Sequence, residues 1–328
     1  MPAPAAPTQP KAPPIGTDAD LLQLEGMSPG VIRGLLERTR FFAGASPLKR
    51  WDALAGRFVV NLFLEDSTRT RLSFSIAAQR LGAAVLDVAG AGSSISKGET
   101  LVDTARVIEA QGASVIIVRV KAPGAPHTVA GSVECAVLNA GDGGHEHPTQ
   151  GLLDAYTLAE AQGRLDGFDL SGLRVAIVGD IAHSRVARSD VAAMTALGAE
   201  VICVGPPNMA PASLAALGCA VGHDLDAVIG EVDAVQMLRV QVERGAAMSS
   251  KREYVAQYQL DAARAARMKR GAVVMHPGPM NRGVELSDEV ADGATSRIFR
   301  QDTVGVFVRM AALERAAIAC DWIGGHLS

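Results

Sequence analysis

Aromatic residues make up only 4% of this 328-residue chain, which argues against a platform for stacking nucleic-acid bases. Neither sign of charge dominates: 31 Lys and Arg face 35 Asp and Glu, for a net charge of −4. That balance excludes a global basic field recruiting nucleic acid or an acidic membrane, so any anion must be drawn by local clusters of Arg and Lys. The four cysteines, Cys135, Cys203, Cys219 and Cys320, form no CxxC pair. Their spacing speaks against a disulfide framework or structural zinc and fits a reducing cytoplasm. No apolar run approaches the roughly 20 residues needed to span a bilayer, so a soluble protein with no membrane partner is expected. The chain also has no Walker A sequence and no G-x-G-x-x-G after its later strands. Nucleoside-triphosphate chemistry and the usual dinucleotide fingerprint are thereby disfavoured.

What is present is ordinary globular composition, 48% hydrophobic and 20% charged, at a length that suggests two domains. Residues 1–16, "MPAPAAPTQPKAPPIG", read as a disordered Pro-rich tail. From residue 57 onward, strand-length apolar runs alternate with helical patterns. Strands are expected at 57–65, 83–89, 114–120 and 133–141, and again at 173–180, 199–206, 233–238 and 272–279. Helices are expected to start near Ser67 and Thr100, with a short one in 126–131. A long helix from His147 would bridge the halves, and a last helix over roughly 303–323 would pack back on the first. Nearly continuous apolar strands fit parallel sheets buried on both faces. The predicted fold class is α/β, with two doubly wound parallel-sheet domains joined by interdomain helices.

Ligands in such sheets bind beyond the carboxyl ends of the strands, and the informative residues follow the strands here. After the first comes Ser67-Thr68-Arg69-Thr70-Arg71. Two guanidiniums at a helix start oppose the helix dipole, a conflict that an anion held by the free N–H groups, the hydroxyls and an Arg fork would resolve. Arg71 has three open roles: supporting Arg69, pairing with a carboxylate such as Glu65, or meeting a neighbouring subunit. After the second strand lies "GAGSSISKGET", a small-residue loop carrying Lys97, which could close over an anion. Its S-x-x-K match to penicillin-binding proteins is set aside because neither S-D-N nor K-T-G occurs. Arg119 ends the third strand, where a charge needs a partner or a ligand.

After the fourth strand, His147 and Gln150 flank Pro148 at the start of the long helix. His145 and His147 lack metal-site spacing, so no metal is expected. In the second half, Arg185 and Arg188, then Arg239 and Gln241, then His276-Pro277-Gly278-Pro279 follow successive strands. The cations imply a dianionic ligand facing a dicarboxylate. No acid–base carboxylate pair or Ser-His-Asp order stands out, which points to catalysis by orientation and charge stabilisation.

The segments "FLEDSTRTRLSF", "SKGETLVDT", "VLNAGDGGHEHPTQGLLD", "VAIVGD…SRVARS", "MLRVQVER" and "MHPGPMNRGVELSDEVADG" occur in an order that resembles the aspartate carbamoyltransferase family, from about residue 20 to 323. S-T-R-T-R with H-P-T-Q identifies the wider transcarbamoylase superfamily. His276-Pro277-Gly278-Pro279 and the R-x-Q at Arg239 and Gln241 favour the aspartate branch over the ornithine branch, which typically shows H-C-L-P. The resemblance implies transfer of a carbamoyl group from carbamoyl phosphate to L-aspartate, without a cofactor, in pyrimidine biosynthesis. It implies a carbamoyl-phosphate-binding domain over 17–150 and an aspartate-binding domain over 151–302.

It further implies that Ser67, Thr68, Arg69 and Thr70 hold the phosphate, and that Thr70, Arg119 and His147 donate to the carbonyl oxygen. Gln150 and the Pro277–Gly278 carbonyls, in the turn ending at Pro279, would hold the carbamoyl amino group. Arg185 would grip the aspartate α-carboxylate, and Arg239 with Gln241 the β-carboxylate. Lys97, with Ser93 or Ser94, would enter the site of a neighbouring subunit, giving a homotrimer with shared sites. "PMNRGVEL" and the Pro-rich head look like the subgroup that assembles with dihydroorotase or an inactive dihydroorotase-like chain. The alternatives are an ornithine-type carbamoyltransferase and a catalytically silent scaffold relative.

Overall fold

Alternate residues of the central strands feed opposite cores, and this is what makes each sheet two-sided. The computed structural model describes residues 19–46, 49–89, 98–240 and 251–324. Strands β1 (Phe58–Phe63), β2 (Ala84–Ala89), β3 (Ala113–Val120) and β4 (Ala136–Asp142) form one parallel sheet in the order β2-β1-β3-β4. In β1, Val59 and Phe63 face one core while Val60 and Leu62 face another, as the two-residue strand period requires. A second parallel sheet comprises β5 (Arg174–Val178), β6 (Glu200–Val204), β7 (Ala220–Gly222), β8 (Ala234–Met237) and β9 (Val273–Met275). Its order is β7-β6-β5-β8-β9.

Strands stand at all eight expected places, with ends displaced by up to four residues and β3 and β4 reaching one residue beyond the expected bounds; β7 lies outside those expectations. Its three residues, Ala-Val-Gly, carry no apolar run to read. Helix α1 (Pro29–Ala43) also escaped the sequence reading. Its start is nevertheless signalled by Ser28, whose Oγ accepts from Val31 N–H, and by Pro29 in the first turn. Ile32, Leu35, Leu36 and Phe42 bury one face of it.

Helices α2 (Thr68–Arg80), α3 (Leu101–Ala110) and α4 (Ala125–Ala130) follow the first three strands. Helix α5 (Pro148–Ala161) leaves β4, and α6 (Arg185–Ala196) follows β5. Helices α7 (Leu225–Val228), α8 (Lys251–Tyr258), α9 (Ala262–Ala265) and α10 (Asp288–Ala291) fill out the second half. The last helix, α11, runs Ile298–Gly324, starting earlier than expected. One hydrophobic core runs through both halves, because Leu152, Leu153 and Tyr156 of α5 and Val304, Val308 and Leu313 of α11 pack with strands of both sheets. Helix α11 packs on α1, α2 and α5.

In each sheet, strand order reverses at one place: between β1 and β3 in the first, and between β5 and β8 in the second. A doubly wound sheet opens its ligand crevice at such a reversal. The two reversals face a common space, since the residues after β1, β3, β5 and β8 line one cavity.

The α5–α6 contact that fixes this geometry depends on Gly151. A Cβ there would stand 2.5 Å from the Ser189 carbonyl oxygen and 2.9 Å from Leu24 Cδ1. Helix propensity alone favours Ala over Gly by about 1 kcal/mol. The backbone clash reverses the sign, because overpacking costs about 1–3 kcal/mol. Gly151→Ala is therefore expected to lower the urea midpoint, and an unchanged or raised midpoint would show that the helices separate freely.

Candidate active site

The common space is a cavity of about 1070 Å³. Every candidate site residue within the described part of the chain lines it. Ser67 to Thr70 come from the start of α2, Arg119 from the end of β3, and His147 and Gln150 from the start of α5. Arg185 opens α6, Arg239 follows β8, and Pro277, Gly278 and Pro279 follow β9. Lys97 and Gln241, like Ser93 and Ser94, lie outside the described residues. Arg188 is on α6 but is not among the lining residues.

The start of α2 is arranged for an anion. Ser67 is its N-cap, yet its side chain makes no capping hydrogen bond, and the first turn contains no acidic residue. The dipole's positive end is thus left without an internal counter-charge. Gly278 packs directly over Arg69: its φ is +63°, and a Cβ would lie 2.9 Å from the guanidinium carbon. Only glycine satisfies both the left-handed backbone and the close approach. The phosphate-side Arg and the turn from the other sheet therefore touch.

Positive charge accumulates deeper in the cavity. Arg119 donates from Nη1 to the Ala140 carbonyl at 2.9 Å, while its Nε has no hydrogen-bond partner. Burial, then the neighbouring Arg185, lowers its pKa to about 10. His147 donates its backbone N–H to Ser189 Oγ at 2.9 Å, but both its ring nitrogens are buried without a partner. Burial, reinforced by Arg119, Arg309 and Arg185, drives its pKa well below the ordinary imidazole value. The ring is held neutral, with one N–H to donate and one lone pair to accept. Orphaned buried polar atoms of this kind cost about 1–3 kcal/mol each, which a polar ligand would relieve.

One carboxylate ties the two halves across the cavity. Glu65, just after β1, accepts a two-pronged bond from Arg185, at 2.9 Å from Nη1 and 3.0 Å from Nη2. Arg119 Nη2 lies 3.9 Å from the same carboxylate. Arg71, for which Glu65 is one of three candidate partners, is exposed on α2, while the two-pronged bond to Glu65 comes from Arg185. An arginine expected to grip a substrate carboxylate here grips a protein one.

Sequence reasoning missed several lining residues, including Glu65 as a cavity group, Gln301, Asp302 and Arg309. Arg309 is the clearest loss. It is 4% exposed on α11, donates to Ser73 Oγ at 2.9 Å and leaves Nε without a partner. Burial lowers its pKa to about 10, with Asp302 and Asp154 opposing. Its only trace in the sequence is a single charge inside the apolar run "GVFVRMAAL".

Comparison with known proteins bears on this arrangement. Residues 19–160 match the family model "Aspartate/ornithine carbamoyltransferase, carbamoyl-P binding domain", and residues 171–316 match "Aspartate/ornithine carbamoyltransferase, Asp/Orn binding domain". The chain is 54% identical over 296 residues to an aspartate carbamoyltransferase catalytic subunit from Myxococcus xanthus (strain DK1622), covering 90% of this chain and 98% of that one. It is 56% identical over 268 residues to the corresponding subunit of Thermobifida fusca (strain YX), covering 81% and 84%. Among solved structures it is similar to aspartate transcarbamoylase from Trypanosoma cruzi in complex with carbamoyl phosphate. There the TM-score is 0.81 at 31% identity, covering 93% of this chain and 98% of that one. The same enzyme in complex with N-(phosphonacetyl)-L-aspartic acid gives a TM-score of 0.79 at 30% identity, covering 94% and 99%.

The neutral state of His147 is directly observable. Its ring ¹⁵N shifts are expected to stay those of neutral imidazole as pH falls through the ordinary histidine range near about 6.5. A titration centred in that range would contradict the burial and the cationic surroundings described here.

Proposed function

The chain belongs to the aspartate/ornithine carbamoyltransferase family, and from that premise we propose that it transfers the carbamoyl group of carbamoyl phosphate to L-aspartate, giving N-carbamoyl-L-aspartate and phosphate. The observation that carries this is the cationic cavity between the two strand-order reversals, with Arg69 and Arg119 on one side and Arg185 and Arg239 on the other. An acyl phosphate and a dicarboxylate are the ligands such a charge distribution fits.

In the proposed site, the first-turn N–H groups of α2, with Ser67, Thr68, Arg69 and Thr70, hold the phosphate. Thr70, Arg119 and neutral His147 donate to the carbonyl oxygen, which gains charge as the aspartate amine attacks the carbonyl carbon. Gln150 and the carbonyls of the Pro277–Gly278–Pro279 turn hold the carbamoyl amino group. Arg185 takes the α-carboxylate, and Arg239 with Gln241 the β-carboxylate. As the new C–N bond forms, the C–O bond to phosphate breaks, and the departing phosphate accepts the amine proton. No covalent intermediate on the protein is needed, and acceleration comes from orientation and from donors preset for the oxyanion.

Binding aspartate through Arg185 requires its fork to be shared with or released from Glu65. Substrate-linked movement of the two halves follows from that exchange. The wider assignment is a cytoplasmic homotrimer in which Lys97 and Ser93 or Ser94 reach the adjacent site, assembling with dihydroorotase or an inactive dihydroorotase-like chain. The functional units are 17–150 with α11 packed back on it, for carbamoyl phosphate, and 151–302, for aspartate.

Carbamoylation of aspartate, ornithine and acetylornithine, measured side by side, tests the substrate assignment. Turnover of aspartate alone is expected, and turnover of ornithine without aspartate would overturn it. Arg69→Ala is expected to lower kcat/KM by roughly a hundredfold or more while the thermal midpoint stays near wild type. Undiminished carbamoyl phosphate binding in calorimetry would remove Arg69 from the phosphate site.

A further inference from the structure

Behind the cavity wall lie two carboxyl groups that none of the substrate contacts above uses. Asp154 on α5 and Asp190 on α6 are both fully buried, and Gln236 bridges them, its Nε2 donating to Asp154 Oδ2 at 2.9 Å and to Asp190 Oδ2 at 3.3 Å. Two buried carboxyl groups held by one amide cannot both stay ionised at ordinary cost, so one carries a proton. Asp190 is the protonated member: its Oδ1 has no donor among its neighbours, and burial beside the Asp154 charge pushes its pKa well up. Asp154 instead collects amide N–H groups. Gln150 Nε2 donates to it at 3.0 Å and 3.2 Å, Gln301 Nε2 at 2.7 Å, and Gln236 Nε2 at 2.9 Å. Gln301 in turn accepts from the His276 backbone N–H at 2.9 Å.

An ionised carboxylate only accepts hydrogen bonds, so each of these glutamines must turn its NH2 toward Asp154 and its oxygen away. For Gln150, which lines the cavity, the oxygen becomes the end available to a ligand. For Gln301, it becomes the acceptor that ties down the chain entering the Pro277–Gly278–Pro279 turn. We infer that the Asp154–Asp190 pair is a positioning device that orients the Gln150 amide to accept from the carbamoyl amino group and, through Gln301, steadies the turn that shares this task. The inference rests on the carbamoyl-transfer reading proposed above. Asp154 and Asp190 touch no substrate; they act through the two glutamines and the turn.

Acetyl phosphate isolates the effect, because a methyl group stands where carbamoyl phosphate has its amino group and has no hydrogen to donate. Calorimetry of the full-length protein with each ligand reads the preference. In Asp154→Asn, the new amide NH2 confronts the donors it replaces an acceptor for, so the glutamines lose their set orientation. Carbamoyl phosphate affinity is expected to fall by about tenfold, while acetyl phosphate affinity holds. Asp190→Asn, which still offers Asp154 an N–H, is expected to keep most of the preference. Equal losses for both ligands, or an intact preference in Asp154→Asn, overturn the inference. Should Asp154→Asn not fold, Gln301→Met is measured the same way, and a loss shared equally by both ligands again overturns it. A wild-type chain that binds neither ligand refutes the carbamoyl-transfer reading itself rather than the positioning role.

Discussion

Concentrated positive charge in one cavity is the constraint to which the rest of this molecule answers. Arg69, Arg119, Arg185, Arg239 and Arg309 line one cavity, joined there by the positive end of α2. Burying guanidiniums is costly unless something answers their charge. The acidic groups on the cavity wall do so only in part. Glu65 takes the fork of Arg185, and Asp302, its pKa raised by burial, faces Arg69 and Arg309. The proposed substrates, an acyl phosphate and a dicarboxylate, supply the missing anions. Stability and function are opposed here, because the residues that make the empty cavity costly are the ones proposed to bind substrate.

The fold makes that concentration possible by using the same device twice. Each sheet reverses its strand order once, and at each reversal a helix begins with polar or basic side chains lining the cavity. Helices α5 and α11 then join the two sheets through one shared core. Gly151 allows α5 and α6 to approach, and Gly278 allows the β9 turn to lie on Arg69. Glu65–Arg185 is the only one of these interdomain contacts built from two charges that a charged ligand could exchange. That places the expected movement at the cavity rather than in the hydrophobic seam.

Much of this was legible in the sequence, for a physical reason. Parallel strands buried on both faces are written as apolar runs, and their ligand groups must follow directly, so "NLFLEDSTRTR" and "IIVRV" announce both strand and site. Residues that reach the cavity from helix interiors carry no such marker. Arg309 lies 11 residues, about three turns, into α11 within an apolar run, and Gln301 looks like one more polar residue near the helix start. Asp154 was part of a recognised helix, but its burial and its pairing with Asp190 depend on α5 meeting α6, which is a tertiary fact. Arg185 follows a strand and so is legible as a residue that reaches the cavity, whereas its bond to Glu65 across the two halves has no local trace.

A crystal structure of this chain with N-(phosphonacetyl)-L-aspartic acid, which joins a phosphonate to a dicarboxylate, tests most directly whether the cationic cavity binds both substrates at once. The expected result has the phosphonate on the α2 N-terminus at Ser67 to Thr70, with the two carboxylates on Arg185 and Arg239 and the Arg185 bond to Glu65 altered. A phosphonate bound away from Arg69, or carboxylates that leave Arg185 and Arg239 untouched, would contradict it.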